Sequence, residues 1–191
     1  MSAVKYTTQV RRSALRPFIL LALILPFAFL PSSEIQFGGL EFEIPHGWQH
    51  QQLDETVYLF PEKSWETSSA LIRLEHGGII EGDLQNWLAS NVTRFEQNLT
   101  IVNRSRSKKL PSDGLRGAAH MLSTLKSESG QLVFRDYVAA EINGAVELII
   151  LQTSSAEAYQ DYVQSFHSFL ENVETKPISD APKTAANSVT G

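Results

Sequence analysis

The chain has 191 residues, contains no cysteine and carries a formal net charge of −5. All 21 acidic residues but only 12 of the 16 basic residues follow residue 33, so that part carries a net charge of −9. The lack of cysteine excludes disulfides, thiolate nucleophiles and cysteine-bound metals. The acidic balance argues against a nucleic-acid-binding protein, which needs a basic surface.

The first element is an uncharged run at residues 17–33, preceded by four basic residues and no acidic one. Its apolar centre, residues 18–30, has the length of a signal-peptide core, whereas a membrane span needs about 20 apolar residues. No A-x-A-like cleavage site precedes residue 34, so we expect an uncleaved or slowly cleaved N-terminal anchor. Because basic flanks stay in the cytoplasm, we expect residues 1–33 to be a basic arm and a hydrophobic helix that contacts the membrane through residues 17–33. The rest is then anchored at an inner membrane or exported, on the extracytoplasmic (periplasmic) side.

Strand patterns dominate the region after residue 33. Alternating or apolar runs bounded by turn residues predict strands at residues 35–44, 56–60, 70–75, 115–126, 131–142 and 145–153. Asn143-Gly144 joins the last two strands, and this pair favours a type I′ turn, which needs positive φ at both positions. Of the two glycine pairs, we interpret Gly77-Gly78 as a turn that ends a strand and Gly38-Gly39 as a bulge within one.

Two amphipathic helices are predicted from apolar residues that recur every three or four positions. The first has Asp83 as its N-cap, and its apolar stripe contains Leu84, Trp87, Leu88, Val92, Phe95 and Leu99. The second opens with a capping box formed by Ser154 and Glu157, and its stripe contains Tyr159, Tyr162, Val163, Phe166, Phe169, Leu170 and Val173. Each helix is therefore expected to cover part of a sheet.

The last strand determines the predicted layering, because residues 146–151 are almost all apolar and do not alternate. A strand that is apolar on both faces is covered on both faces. One helix on each face gives an α+β fold, a three-layer helix–sheet–helix sandwich with a mostly antiparallel sheet. We expect this domain at residues 34–173 and a disordered tail at residues 174–191, which has two prolines and no aromatic residue.

The order of the predicted strands and helices is similar to that of a known superfamily. The segment LEFEIPHGW at residues 40–48 is a strand that stops at Pro45 and continues into Gly47 and Trp48. This strand is followed by two short strands, a helix and a strand that begins at Gly117-Ala118. The chain then continues with a hairpin, an apolar strand and the closing helix SSAEAYQDYVQSFHSFLENV. Over residues 35–173 this resembles the PsbP-like superfamily, which also contains DcrB-type periplasmic proteins and a Ran-binding nuclear import factor. The resemblance implies a sandwich without shared catalytic residues that acts as an adaptor, assembly factor, extrinsic subunit or chaperone.

A basic segment, RSRSKK, contains the first candidate site residues: Arg104, Arg106, Lys108 and Lys109. On a strand, Arg104, Arg106 and Lys108 alternate and share one face. In an acidic domain such a stripe is a candidate dock for an acidic protein or for anionic lipid head groups. The alternative is an edge strand that is charged so that it does not pair with a neighbour.

A second candidate is the loop that contains His46, Trp48 and His50. Two histidines four residues apart hold a metal when they share a helix face, but Pro45 and Gly47 disfavour a helix here. The alternative is a polar loop beside a buried tryptophan. The loop is therefore a candidate for contact with a partner or a small ligand.

Asp136 lies in a strand between the apolar residues Phe134 and Val138 of the same face. It is either buried and paired with an arginine or exposed to water, and a structural ion pair is the expected role if it is buried. His120 and His167 have no partner in the sequence, and His167 is expected at the surface.

Catalytic signatures such as G-x-S-x-G, H-E-x-x-H, a P-loop and G-x-G-x-x-G are absent from the sequence. We therefore predict a non-enzyme without a cofactor or a nucleic-acid partner. The predicted function is that of a membrane-anchored, extracytoplasmic adaptor or assembly factor that acts through protein contacts. The alternative is a periplasmic module that binds a small ligand or a metal.

Overall fold

The computed structural model describes residues 34–110, 115 and 117–176. Its elements in chain order are β1 (Glu34–Phe37), β2 (Leu40–Glu43), β3 (Gln49–Leu53), β4 (Thr56–Phe60), β5 (Ala70–Ile79), α1 (Leu84–Asn91), a 3₁₀ helix (Val92–Glu96), β6 (Thr100–Arg104), β7 (Lys108–Lys109), β8 (Ala119–Lys126), β9 (Leu132–Ile142), β10 (Ala145–Thr153), α2 (Ala156–Glu171) and β11 (Glu174–Thr175). The hydrophobic helix and membrane contact predicted at residues 17–33 lie outside these ranges. Neither α1 nor α2 has the length and apolar character needed to cross a bilayer, and the described ranges hold no other helix that does.

The described strands form two sheets. The large sheet has the order β3-β4-β5-β10-β9-β8-β6, with β7 also paired to β8, and the small sheet has the order β1-β2-β11. All of these pairings are antiparallel. An α+β fold with an antiparallel sheet and two helices is therefore confirmed. Of the predicted tail, Glu174 and Thr175 pair with β2, and residues 177–191 lie outside the described ranges.

The central strands β9 and β10 are buried on both faces. In β10, Ile149 and Leu151 belong to a hydrophobic cluster that includes Phe166, Phe169 and Leu170 of α2. Leu148 and Ile150 belong to a second cluster that includes Leu84, Trp87 and Leu88 of α1. Each large apolar side chain that is fully buried contributes about 1.5–3 kcal/mol. The burial predicted for residues 146–151 is confirmed.

Local signals at two boundaries are also confirmed. Asn143 and Gly144 have φ values of 54° and 81° and form the turn between β9 and β10. The Asp83 carboxylate accepts the backbone N–H groups of Gln85 and Asn86, each at 3.0 Å, and so caps α1.

The N-cap of α2 is Ser155, one residue later than the predicted capping box. Ser155 Oγ accepts the backbone N–H of Ala158 at 3.1 Å. The backbone N–H of Ser154 instead donates to the Ser69 carbonyl at 3.0 Å. This bond directly follows the pairing of Thr153 with Ala70, so the backbone of Ser154 extends the contact between β10 and the start of β5 and does not cap the helix.

The two glycine pairs have the opposite roles to those predicted. Gly38-Gly39 forms the turn between β1 and β2, and Gly38 has a φ of 56°. Gly77-Gly78 lies inside β5, where the pairing with β10 shifts by one residue and makes a bulge. A Cβ on Gly77 would lie 2.8 Å from the Trp87 ring, so only bare backbone fits there.

The strand β3 was not predicted. Its sequence QHQQL is almost entirely exposed, and it pairs with β4 at one edge of the large sheet. A strand that covers no core has no apolar alternation to reveal it.

A buried carboxylate joins the small sheet to the large one. Glu147 of β10 is 4% exposed, lies 2.8 Å from His76 Nδ1 and accepts the backbone N–H of Gly39. The His76 ring stacks on Phe37, with ring centroids 4.5 Å apart. Burial raises the pKa of Glu147 above its ordinary value, although His76 and the Gly39 N–H act in the opposite direction.

We expect Gly38→Ala to lower the free energy of unfolding by about 2–4 kcal/mol, because the residue has a positive φ and its Cβ would meet the Glu147 carboxylate. Gly47→Ala is the matched control, since Gly47 has a φ of 81° and open space around its Cβ position. The control should lose only about 1 kcal/mol. Urea unfolding measures both variants, and equal losses would contradict the close approach of the β1–β2 turn to Glu147.

A carboxyl whose pKa is raised by folding stabilises the protein below its unfolded-state pKa, and this contribution is lost as the pH rises through the folded-state value. Glu147→Gln keeps an acceptor for the Gly39 N–H and is therefore expected to have a higher Tm than wild type at neutral pH. The difference should shrink as the pH falls to about 4, where a free glutamate is protonated. Thermal unfolding across this range measures the effect, with the exposed Glu141→Gln as control. A Tm difference that is independent of pH would contradict the expectation.

Candidate functional site

An open cleft lies between α2 and the strand edge formed by β7 and β8, and we name it the α2–β8 cleft. The main contacts of α2 are with β5, β9 and β10, so the helix leaves the β8 end of this face uncovered. The cleft has a volume of about 280 Å³ and is lined by Lys108, Leu110, His120, Asp136, Phe166, His167, Leu170 and Glu171.

A buried polar cluster forms the floor of the α2–β8 cleft. The Asp136 side chain is 1% exposed and contacts His120 Nε2. Tyr159 of α2 donates its O–H to Asp136 Oδ2 at 3.2 Å. Burial, and then the charge of Asp136, raise the pKa of Tyr159 well above its ordinary value, so this hydroxyl stays protonated as a donor.

The hairpin register explains why Asp136 meets a histidine and not the predicted arginine. His120 lies opposite Val138, so Asp136 occupies the diagonal position on the same face of the sheet. The neighbouring Arg135 points to the other face. No partner for His120 is evident in the sequence, because the register of the hairpin formed by β8 and β9 does not follow from the predicted strand ends.

The walls and the rim of the α2–β8 cleft differ in polarity. The walls contain Leu110 and the buried side chains Phe166 and Leu170. The rim carries exposed Lys108, His167 and Glu171. The surface position predicted for His167 is thereby confirmed.

The predicted cationic stripe is divided between the two faces of the large sheet. Arg104 lies opposite Ser123, and Lys108 lies opposite His120. The outer edge therefore uses four residues to go from Arg104 to Lys108, whereas the paired part of β8 uses three to go from Ser123 to His120. Because of this one extra residue, the side chains of Arg104 and Lys108 point to opposite faces of the sheet. The single shared face predicted for Arg104 and Lys108 is therefore wrong.

Arg104 belongs to a buried polar network on the face that packs against α1. Its guanidinium binds the carboxylate of Glu96, which is 3% exposed, and its Nε donates to Ser123 Oγ at 3.2 Å. Tyr137 donates its O–H to Glu96 at 3.2 Å, and burial raises the pKa of this tyrosine. These contacts give Arg104 a structural role.

The other three cations, Arg106, Lys108 and Lys109, are exposed. They follow the outermost edge of the large sheet, where β6 and β7 have no further neighbour among the described strands. Lysine at such an edge prevents pairing with another chain. Of the three, Lys108 also lines the α2–β8 cleft, so edge protection and docking remain compatible readings of the same segment.

The second candidate loop lies elsewhere on the α2 side. His46 and Trp48 line an open depression of about 410 Å³, and the Trp48 ring meets Tyr162 edge-to-face with centroids 5.7 Å apart. His50 is exposed on β3, opposite Leu59. Within the part of the chain that the structure describes, no group of three or more histidine or acidic side chains is placed to hold a metal.

Comparisons with known proteins bear on the fold. No protein-family model and no curated protein sequence matches the chain. A point mutant of Mog1 aligns with a TM-score of 0.51 at 12% identity, over 76% of this chain and 96% of that one. The Ran-binding protein Mog1p of Saccharomyces cerevisiae aligns with a TM-score of 0.50 at 8% identity, over 75% of this chain and 95% of its own. Cyanobacterial PsbP from Synechocystis gives a TM-score of 0.46 at 12% identity, over 72% and 86%. The two Mog1 structures show that the chain shares their fold, and the predicted resemblance to a superfamily that includes a Ran-binding protein is confirmed as a likeness of fold alone.

We expect Arg104→Ala to lower the free energy of unfolding by about 3 kcal/mol, because it leaves the buried carboxylate of Glu96 without its cation. Arg106→Ala is the matched control and should change stability by less than about 0.5 kcal/mol, since Arg106 is exposed. Urea unfolding of both variants measures the difference. Wild-type stability of Arg104→Ala would show that the pair with Glu96 is not structural.

Proposed function

We propose that this chain is a non-catalytic adaptor or assembly factor that binds a protein partner. In this proposal residues 17–33 anchor it in a membrane, and residues 34–173 form a helix–sheet–helix sandwich on the extracytoplasmic side. The observation that carries the proposal is the placement of exposed cations beside a partly apolar cleft in a domain of net charge −9.

The charge of the edge favours an acidic protein surface as the partner. Arg106, Lys108 and Lys109 are exposed, whereas the domain around them is acidic. Such a local reversal of charge steers an oppositely charged partner and fixes its orientation. The edge is also reached without any opening of the fold.

The buried ionisable groups support a non-catalytic role, because they bind one another. Glu96 is held by Arg104 and Tyr137. Asp136 is held by His120 and Tyr159 in the same way. Networks of this kind shift pKa values for structural reasons, and the sequence contains no catalytic motif that would give them another role.

Two further observations support a protein partner and the anchor. A Ran-binding protein, Mog1p, has a similar fold, which favours protein binding for this chain as well. The basic arm and the uncharged run at residues 17–33 are typical of an anchor that leaves the following domain outside the cytoplasm.

The alternative, a periplasmic small-ligand or metal-binding module, has weaker support. The depression beside Trp48 is open, and its lining includes the exposed polar side chains His46, Gln164 and Ser168. Small-molecule sites typically bury about 70–90% of the ligand surface. A metal at His46 and His50 also lacks further ligands in the described ranges.

The test is affinity capture of the tagged full-length chain from membranes dissolved in a mild detergent, followed by quantitative mass spectrometry. We expect the chain in the membrane fraction and at least one co-purifying protein. The double variant Arg106→Glu/Lys108→Glu should reduce the yield of that protein about tenfold. Arg104 is left unchanged because it is structural.

Lys63→Glu is the matched control, because Lys63 is an exposed cation in the loop between β4 and β5. It should capture the same protein as wild type. Equal capture by all three chains would exclude the edge as the docking surface. Recovery of the full-length chain in the soluble fraction would exclude the anchor.

A further inference from the structure

We propose that the α2–β8 cleft receives one hydrophobic side chain from an acidic segment of the partner, an inference that rests on the proposed function. The apolar walls of the cleft hold this side chain. The cations of the neighbouring edge bind carboxylates on either side of it.

The cleft is small and open on one side. Its volume of about 280 Å³ lies at the lower limit of small-molecule sites, which is ~300 Å³. Of its apolar lining residues, Leu110 is partly exposed, whereas Phe166 and Leu170 are buried behind the cleft surface. At protein interfaces, an anchoring side chain of one partner fills a pocket of this kind on the other.

The charges around the cleft favour carboxylates next to that side chain. Lys108 lies in the lining, Arg106 and Lys109 are exposed beside it in the chain, and Glu171 is the one exposed acid of the lining. Asp136, the other acid of the lining, is buried and contacts His120 and Tyr159. Among the exposed side chains, the three cations of the edge therefore outnumber the one acid of the lining, in a domain with a net charge of −9.

Two other occupants fit less well. The N-terminal arm of the chain itself is basic and contains no acid before residue 34, so the cations at the cleft repel it. Anionic lipid head groups match the cations, but a head-group surface presents no hydrophobic side chain to enter a pocket.

The test uses the full-length chain in a neutral detergent and two fluorescein-labelled peptides. The first is Gly-Asp-Glu-Phe-Glu-Asp-Gly, and the second has Ala in place of Phe. By fluorescence anisotropy, we expect the Phe peptide to bind at least about tenfold more tightly than the Ala peptide. Its affinity should also fall with added salt.

Lys108→Glu is expected to weaken binding of the Phe peptide about tenfold without a change in Tm, because Lys108 is exposed. Lys63→Glu, which lies outside the cleft lining, should bind the peptide as wild type does. A peptide in which Lys replaces each acidic residue should bind at least about tenfold more weakly than the acidic one.

Equal affinity for the Phe and Ala peptides overturns the proposal, and so does equal binding by wild type and Lys108→Glu. Absence of binding at about 1 mM peptide also overturns it. Displacement of the Phe peptide by glycerol 3-phosphate would assign the cations to phosphate head groups instead. If the peptides fail but the captured protein is still lost from Arg106→Glu/Lys108→Glu, the proposed function stands with a different partner chemistry. If capture is unaffected as well, both proposals fail.

Discussion

The burial of β9 and β10 on both faces is the constraint on which the rest of the structure depends. Strands that are apolar on both sides need cover above and below, and the two hydrophobic clusters contain residues of α2 and of α1 respectively. Because α2 packs over β5, β9 and β10, the face near β8 is left open, and the α2–β8 cleft is the space that results.

One extra residue in the outer edge of the large sheet gives the cations of this edge two different roles, one structural and one at the surface. The change of register between β6 and β7 sends Arg104 to one face and Lys108 to the other. On the first face Arg104 binds the buried carboxylate of Glu96, and an ion pair compensates part of the cost of burying a charge. On the second face Lys108 stays exposed at the rim of a pocket. A perfectly alternating strand would place both cations on the same face of the sheet.

Signals that act within a few residues made much of the fold predictable. The Asn143-Gly144 turn, the Asp83 cap and the apolar run at residues 146–151 each have a local physical cause, and each is confirmed. The roles of Gly38-Gly39 and Gly77-Gly78 were exchanged, because a pair of glycines permits both a turn and a bulge. What decides between them is the Trp87 ring packed against Gly77, a contact that no local pattern reveals.

The candidate site was predictable only in part, for a related reason. The sequence identified Lys108 as a candidate and Asp136 as a residue that pairs if it is buried. It did not show that His120 lies diagonally across from Asp136, because that depends on the register between two strands. Nor did it show that Arg104 is turned away from Lys108, since the polar residues between β6 and β7 give no sign of an extra residue. Long-range register was therefore the missing information in both cases.

The short strand β11 has a consequence for how the domain is connected to anything else. It pairs with one side of β2 while β1 pairs with the other side, so β1 and β11 lie about 10 Å apart, which is two strand spacings. Both ends of the described domain therefore emerge from the same three-stranded sheet. Because Glu34 lies opposite Glu43 and Thr175 lies opposite Leu40, the chain enters this sheet at one end of β2 and leaves it at the other. A linker that joined the two ends would have to run back along the length of this short strand, about 10 Å.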